Sequence, residues 1–114
     1  MLVVDDQVLV RTGIVQHLDH LGYDVYEAGD TEEAIEIIES IDDIRLVFTD
    51  VDMPGSVSGL TLARAVAHLW APIRIIVTSG KIQVDGRDLP AGVRYCAKPY
   101  SYRSIAQAIE TMLA

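Results

Sequence analysis

The feature that most restricts the fold of this chain is the alternation of short apolar runs with segments of helical period. Each run is only a few residues long and rich in β-branched or aliphatic side chains, whereas the segments between them repeat apolar residues every three or four positions. Such alternation is typical of a parallel sheet covered by helices on both faces. The sequence therefore predicts an α/β fold.

The alternation divides the chain into five strands and the helices between them. We predict strands at Leu2 to Val4, Tyr23 to Glu27, Leu46 to Thr49, Ile73 to Thr78 and Val93 to Ala97. We predict helices from about Gln7 to Leu21, from Asp30 through Ser40, from Gly59 to Trp70, and after a cap at Ser101. Residues 80–92 contain three glycines and a proline, so a helix there must be short or irregular.

Local signals support the first two helices and the strand between them. The first helix has one apolar stripe, formed by Val10, Ile14, Leu18 and Leu21. Gly22 follows in the usual position of a left-handed cap, and Gly13 inside the helix should cost about 1 kcal/mol relative to alanine. Asp30 and Glu33 have the spacing of a helix cap. The polar alternation of the strand at Tyr23 to Glu27 predicts an edge position.

Length and charge limit the classes of function. The 114 residues, 50% of them hydrophobic, predict one domain over residues 1–114 with a sizeable core. A net charge of −8 argues against direct nucleic-acid binding. Cys96 has no partner for an internal disulfide, no apolar run approaches the ~20 residues of a membrane span, and no leader is evident. We therefore expect a cytoplasmic protein that does not bind membranes.

Polar residues follow four of the predicted strands at their carboxyl ends, where open α/β sheets collect functional groups. They are Asp5, Asp6, Asp50, Ser79 and Lys98. If the first and third strands are neighbours, three carboxylates converge and repel one another unless a cation lies among them. A hard divalent ion with oxygen ligands, most naturally Mg²⁺, resolves that repulsion.

The remaining groups suit phosphoryl transfer. Lys98 supplies a positive charge and Ser79 a hydroxyl donor, which together stabilise the negative charge of a transferring phosphoryl group. Asp50, central and next to a loop, is the candidate nucleophile, because a carboxylate that attacks phosphorus gives an acyl phosphate.

The ordered set of motifs resembles the receiver domain of two-component response regulators over the whole chain. The motifs are Asp5-Asp6, Asp50 followed by Met53-Pro54 and Gly59, Ser79-Gly80, and Lys98-Pro99. The resemblance implies a flavodoxin-like, doubly wound, five-stranded parallel sheet of order 2-1-3-4-5. It implies Asp50 as the phosphoacceptor, Ser79 and Lys98 as phosphoryl-binding residues, and Mg²⁺ held by Asp5, Asp6, Asp50 and the backbone carbonyl of Asp52. A cis bond between Lys98 and Pro99 is also expected by this resemblance.

The resemblance also implies partners and a switch. Tyr95, three residues before Lys98, matches the aromatic residue that moves inward when the hydroxyl residue, here Ser79, moves toward the phosphate. The expected donor is a sensor histidine kinase or a histidine phosphotransfer protein, and the expected output is altered binding of a downstream protein. A homodimer through the last strand and helix is a further expectation. Such a domain promotes only its own phosphorylation and dephosphorylation, and is not otherwise an enzyme.

Two alternatives to this function stay open at the level of sequence. Asp50-Val51-Asp52 also fits the D-x-D motif of haloacid-dehalogenase-type phosphohydrolases, with Asp50 as nucleophile and Asp52 as acid or base. A degenerate receiver that binds partners without phosphorylation is the other alternative, although the full residue set argues against it. In a receiver, Asp52 would be a fourth carboxyl group beside the site, and we hypothesise that it alters the lifetime of the acyl phosphate.

Several other reactive or aromatic side chains lie outside this set. We expect Cys96 to be an inert core residue, and the scattered histidines His17, His20 and His68 to lie at the surface rather than to bind zinc. Tyr100, Tyr102 and Arg103 flank the last helix and form either a docking patch or a packing cluster at the helix start.

Overall fold

The computed structural model describes residues 1–51, 59–70, 72–80 and 92–113, with the backbone alone described at 59–61. Its strands are β1 (Leu2–Val4), β2 (Tyr26–Ala28), β3 (Leu46–Asp50), β4 (Arg74–Ser79) and β5 (Val93–Ala97). Its helices are α1 (Val8–His20), α2 (Thr31–Ser40), α3 (Gly59–Leu69) and α4 (Tyr102–Leu113). The predicted short or irregular helix after Gly80 lies outside the described residues. In the described ranges, no helix has the length and apolar character needed to cross a membrane.

The five strands form one sheet of order β2-β1-β3-β4-β5, and every neighbouring pair is parallel. The predicted fold class and strand order are therefore confirmed. Because successive side chains of a strand point to opposite faces, the sheet separates two apolar clusters. One cluster joins the sheet to α2 and α3, and the other joins it to α1 and α4 through Ile14, Leu18, Ile105 and Ile109.

Strand β2 differs from its prediction, since it spans Tyr26–Ala28 instead of residues 23 to 27. The chain is still leaving α1 at Tyr23, whose N–H donates to Leu18 O at 3.2 Å while Gly22 has a φ of +97°. Asp24 O accepts a hydrogen bond from the Met1 amino group at 2.7 Å, but regular pairing with β1 begins only at Tyr26, whose N–H donates to Met1 O at 2.8 Å. The predicted edge position is confirmed.

The predicted apolar stripe of α1 is buried only in its middle. Ile14 and Leu18 are buried, but Val10 is 36% exposed and Leu21, just past the helix, is 49% exposed. The reason is a mismatch of length, because a 13-residue helix is about 20 Å long whereas the three residues of β1 span about 10 Å. The ends of the stripe therefore extend beyond the strand beneath them.

Gly13 allows the first and last helices to approach each other closely. A Cβ atom at Gly13 would collide with the hydroxyl group of Tyr102, the first residue of α4. The Tyr102 ring also stacks on His17, with ring centroids 5.1 Å apart. The glycine that costs helix propensity is thus explained by a packing contact, in which His17 is half-buried.

The predicted caps of α2 and α4 are confirmed. Asp30 Oδ1 accepts a hydrogen bond from the Glu33 N–H at 2.8 Å, and Glu33 Oε2 accepts from the Gly29 N–H at 3.3 Å. Ser101 Oγ accepts from the Ser104 N–H at 3.0 Å at the start of α4. These bonds satisfy backbone donors that the first turn of a helix leaves unpaired.

We expect Asp30→Ala to lower the free energy of unfolding by about 1 kcal/mol, because it removes the side-chain acceptor at the start of α2. Asp30→Asn keeps an acceptor oxygen and serves as the matched control, with stability close to that of the wild type. Urea denaturation followed by circular dichroism measures both. An unchanged midpoint for Asp30→Ala would show that this cap does not contribute to stability.

Candidate functional site

The carboxyl ends of β1 and β3 bring three aspartates together. Val4 and Thr49 are register partners, so Asp5 and Asp50 leave the sheet side by side, and Asp6 follows Asp5. Asp5 is 1% exposed and Asp50 is 2% exposed, whereas Asp6 is exposed. One carboxylate oxygen from each of the three lies within 4.8 Å of the others. The predicted convergence of Asp5, Asp6 and Asp50 is therefore present.

The Asp5 residue is fixed by hydrogen bonds on three sides. Its N–H donates to Ala28 O at 3.1 Å, and its Oδ1 accepts from the Gln7 N–H at 2.9 Å. Its carbonyl accepts from Arg11 Nη1 at 2.7 Å, and Arg11 Nε donates to Glu27 Oε1 at 2.9 Å. These contacts tie the acidic pair to α1 and to the edge strand. Nothing in the sequence marks Arg11 as a residue of this site, because its contacts depend on the pairing of β1 with β2.

Burial raises the pKa of the Asp5 carboxyl above its usual value of 3.8, and the negative charges of Asp50 and Asp6 add to that effect. The hydrogen bond from the Gln7 N–H and the positive charge of Lys98 lower the pKa of Asp5. The ionised form of Asp5 is thus less favourable in the folded chain than in water.

The three carboxylates fit a magnesium ion. Two oxygen ligands on opposite sides of Mg²⁺ lie about 4.2 Å apart, because each Mg–O distance is about 2.1 Å. The observed upper limit of 4.8 Å among the three oxygens is close to that value. Within the described residues this is the one group of His, Cys, Asp and Glu side chains with such spacing, so no histidine or cysteine joins it. Asp52, predicted to add a backbone carbonyl, lies outside the described residues.

Lys98 reaches Asp50 across an intervening strand. Its Nζ donates to Asp50 Oδ2 at 2.9 Å, although β4 lies between β3 and β5. The lysine side chain passes Gly80, where a Cβ atom would lie 3.3 Å from Lys98 Cβ and 3.5 Å from Lys98 Cδ. A glycine therefore leaves room for this ion pair. The Lys98–Pro99 peptide bond is cis, as expected.

The two predicted switch residues are in direct contact. Ser79, the last residue of β4, is 1% exposed, and its carbonyl accepts from Tyr95 Oη at 3.2 Å and from the Lys98 N–H at 3.0 Å. Tyr95 is half-buried and packs against the apolar cluster beneath α2 and α3. Ser79 is thus linked to both Tyr95 and the backbone of Lys98.

Tyr100 and Tyr102, which follow Lys98, pack against other aromatic rings and also line a surface groove. Tyr100 is half-buried and makes an edge contact with Phe48, with ring centroids 5.7 Å apart. Burial, together with the charges of Asp5 and Asp50, raises the pKa of its phenol. Tyr100 and Tyr102 also line an open groove of about 550 Å³ beside Lys98. No local pattern in the sequence indicates that Tyr100 lies this close to Asp5 and Asp50.

The remaining candidates lie away from the reacting groups. Cys96 is half-buried, and burial raises the pKa of its thiol, in keeping with an unreactive core residue. His20 and His68 are exposed as predicted, and so is Arg103.

A family model described as the response regulator receiver domain matches residues 1–110. The chain is 35% identical over 117 residues to the sensor kinase CckA of Brucella abortus, covering 99% of this chain and 12% of that protein. It is 34% identical over 119 residues to the chemotaxis protein CheY1 of Helicobacter pylori, covering 99% of this chain and 95% of CheY1. It spans 48% of the aerobic respiration control protein ArcA of Escherichia coli, at 30% identity over all of this chain. The chain thus corresponds to a small part of some relatives and to nearly all of another.

Solved structures agree with the sequence relatives. A CheY-like receiver domain protein from Methanospirillum hungatei superposes with a TM-score of 0.88 at 26% identity, covering 98% of this chain and 90% of that one. The receiver domain of the hybrid histidine kinase CckA superposes with a TM-score of 0.81 at 31% identity, covering 99% of this chain and 97% of that one.

The haloacid-dehalogenase alternative finds no support in these comparisons, and Asp50 lies at the end of the third strand rather than the first. The match to the family model extends over almost the whole chain. The alignments with CckA, ArcA and CheY1, each at 30% identity or more, also cover almost all of this chain. The chain belongs to the response regulator receiver domain family.

Proposed function

We propose that this chain, as one receiver domain over residues 1–114, accepts a phosphoryl group on Asp50 in a Mg²⁺-dependent reaction. The observation that carries the proposal is the buried Asp50 carboxylate, which lies 2.9 Å from the Lys98 ammonium and beside Asp5 and Asp6. A carboxylate in this position is held by a cation on one side and faces a cation site on the other. That arrangement suits attack on a negatively charged phosphoryl group.

In the proposed reaction, one Asp50 oxygen forms a bond to phosphorus while the bond from phosphorus to the donor breaks. With a phosphohistidine donor, the broken bond is P–N, and the imidazole nitrogen keeps the electron pair. The Lys98 ammonium then pairs with the phosphoryl oxygens instead of the Asp50 carboxylate. The Ser79 hydroxyl donates a hydrogen bond to one of those oxygens. No other covalent step is required of the protein.

The metal site would be formed by Asp5, Asp6 and Asp50 with the backbone carbonyl of Asp52. When bound, Mg²⁺ neutralises the negative charge of the carboxylates and of the phosphoryl oxygens. Asp5 would enter this site with its position already defined, because its backbone and one carboxylate oxygen are held by hydrogen bonds.

The contact between Tyr95 and Ser79 supports a conformational switch. Because the Tyr95 hydroxyl donates to the Ser79 carbonyl, a shift of Ser79 toward a phosphoryl group changes the position of its partner. Phosphorylation would then alter the surface around β5, where Tyr95 is half-buried. We place the change in partner binding, and the contact of a homodimer, on this surface and α4.

The similarity to the sensor kinase CckA and to the receiver domain of a hybrid histidine kinase favours a phosphohistidine donor, on a sensor histidine kinase or a histidine phosphotransfer protein. The similarity to CheY1 favours an output through a downstream protein. With a net charge of −8, the chain itself is not expected to bind nucleic acid, and we place its activity in the cytoplasm.

Incubation with radiolabelled acetyl phosphate and Mg²⁺ should place at most one base-labile label on each wild-type chain. Asp50→Asn should abolish the label, because an amide is a poor nucleophile, and chelation of Mg²⁺ should reduce it strongly. Asp42→Asn, which changes an exposed aspartate at the end of α2, is the matched control and should label normally. A label that persists in Asp50→Asn would refute the assignment of the phosphoacceptor.

Asp5→Asn should raise the free energy of unfolding at pH 7 in the presence of a chelator. The reason is that the raised pKa of Asp5 makes its ionised form less favourable in the folded chain than in the unfolded chain. Stabilisation by the protonated group is complete below pH 3.8 and is lost as the pH rises through the folded-state pKa, so the advantage of Asp5→Asn should vanish in acid.

Denaturant titrations at both pH values, with and without Mg²⁺, measure this difference. Added Mg²⁺ should stabilise the wild type at pH 7 and should stabilise Asp5→Asn much less. Equal stabilisation of the two proteins would show that Asp5 does not contribute to the metal site.

A further inference from the structure

The hydroxyl group of Thr78 is buried without a hydrogen-bond partner. Thr78 is 0% exposed, and its Oγ1 is the one buried side-chain oxygen or nitrogen of the described residues that lacks a partner. Thr49, the other threonine buried in the sheet near Asp50, donates to the Asp50 carbonyl at 3.3 Å. Buried hydroxyl groups are nearly always paired, so an exception requires an explanation.

The register of the sheet places this hydroxyl next to the phosphoacceptor. Thr78 is the direct cross-strand partner of Asp50 on one side and of Cys96 on the other. Ile76, two residues earlier, packs in the cluster beneath α1 and α4, as does Phe48, two residues before Asp50. Because side chains alternate along a strand, Thr78 and Asp50 lie on the same face of the sheet.

The ion pair between Lys98 and Asp50 crosses the strand that carries Thr78. Lys98 lies at the end of β5 and passes Gly80, two residues beyond Thr78, to reach Asp50 on β3. Thr78 is thus a buried residue between Asp50 and Cys96 in the sheet, on the strand that the Lys98 side chain crosses. Its hydroxyl group lies in a buried region beside Asp50, where the charge would change on phosphorylation.

We propose that Thr78 is a phosphorylation-dependent hydrogen-bond donor, whose hydroxyl pairs with the modified Asp50 side chain. This inference rests on the proposed function. In the unmodified chain, Lys98 satisfies Asp50 Oδ2. After phosphoryl transfer, the ammonium is drawn to the phosphoryl oxygens, which carry more charge, and a carboxyl oxygen of Asp50 loses its donor. Thr78 supplies a donor at that position without contact with solvent.

Thr78 would thus bind the modified Asp50 side chain and slightly destabilise the unmodified chain. A buried donor without an acceptor destabilises the unmodified chain, and the new hydrogen bond removes that burden. A threonine that merely fills space in the strand would behave differently, because valine has the same shape and would serve equally well in both states.

The test compares Thr78→Val, which removes the hydroxyl, with Thr78→Ser, which keeps it. Each protein is titrated by calorimetry with beryllofluoride, a phosphoryl analogue, in the presence of Mg²⁺. Thr78→Val should bind about tenfold more weakly, because it loses one buried hydrogen bond to the modified Asp50 side chain. Thr78→Ser should bind like the wild type. Thr49→Val, the matched buried threonine with a backbone partner, should also bind like the wild type.

Denaturant unfolding without beryllofluoride provides a second readout. Thr78→Val should be at least as stable as the wild type, because it removes an unpaired polar group from the interior. Thr78→Ala, which also lacks the hydroxyl, is titrated in parallel so that the conclusion does not depend on one variant.

The outcomes separate this inference from the proposed function. If the wild type binds beryllofluoride and Thr78→Val binds equally well, the role of Thr78 is refuted while Asp50 remains the phosphoacceptor. If the wild type and all variants fail to bind, both proposals are refuted together. Weaker binding by Thr78→Val and Thr78→Ala, with normal binding by Thr78→Ser, supports the hydrogen bond.

Discussion

The burial of two neighbouring carboxylates at one edge of the sheet is the constraint on which the rest of the site depends. Asp5 and Asp50 lie side by side at the ends of adjacent strands, and both are almost completely buried. Removing such groups from water is costly unless opposite charges or donors compensate. Here Lys98 compensates Asp50, whereas the Gln7 backbone N–H compensates Asp5 only in part, since the pKa of Asp5 remains raised. The reactivity proposed for Asp50 depends on this balance.

The parallel topology explains how such a cluster arises from distant parts of the chain. Every strand of a parallel sheet ends at the same edge, so the residues that follow the strands meet there. The central strand of the charged region is β4, which lies between Asp50 on β3 and Lys98 after β5. The end of this strand affects how the two charges meet. Gly80, directly after β4, leaves space for the Lys98 side chain, and Thr78 within β4 has a buried hydroxyl group without a partner.

The sequence predicted the elements well where local chemistry determines them. The caps at Asp30 and Ser101 were correct because a side chain and a nearby backbone donor are enough to form them. The second strand was placed too early, since hydrogen bonds that end α1 still occupy Tyr23. Val10 was expected in the core but is partly exposed, because the burial of a helical stripe depends on the length of the strand below it.

The sequence by itself determined the fold class, the family and the acidic residues of the site, because these depend on periodicity and on the order of polar residues after apolar runs. The tertiary structure alone decided that Lys98 crosses β4, that Arg11 fixes the Asp5 carbonyl and that Thr78 has no partner. The physical reason is that such contacts depend on strand register and on the face that each side chain occupies. A shift of one residue in register would reverse those faces, and no local pattern in the sequence specifies which atoms then meet.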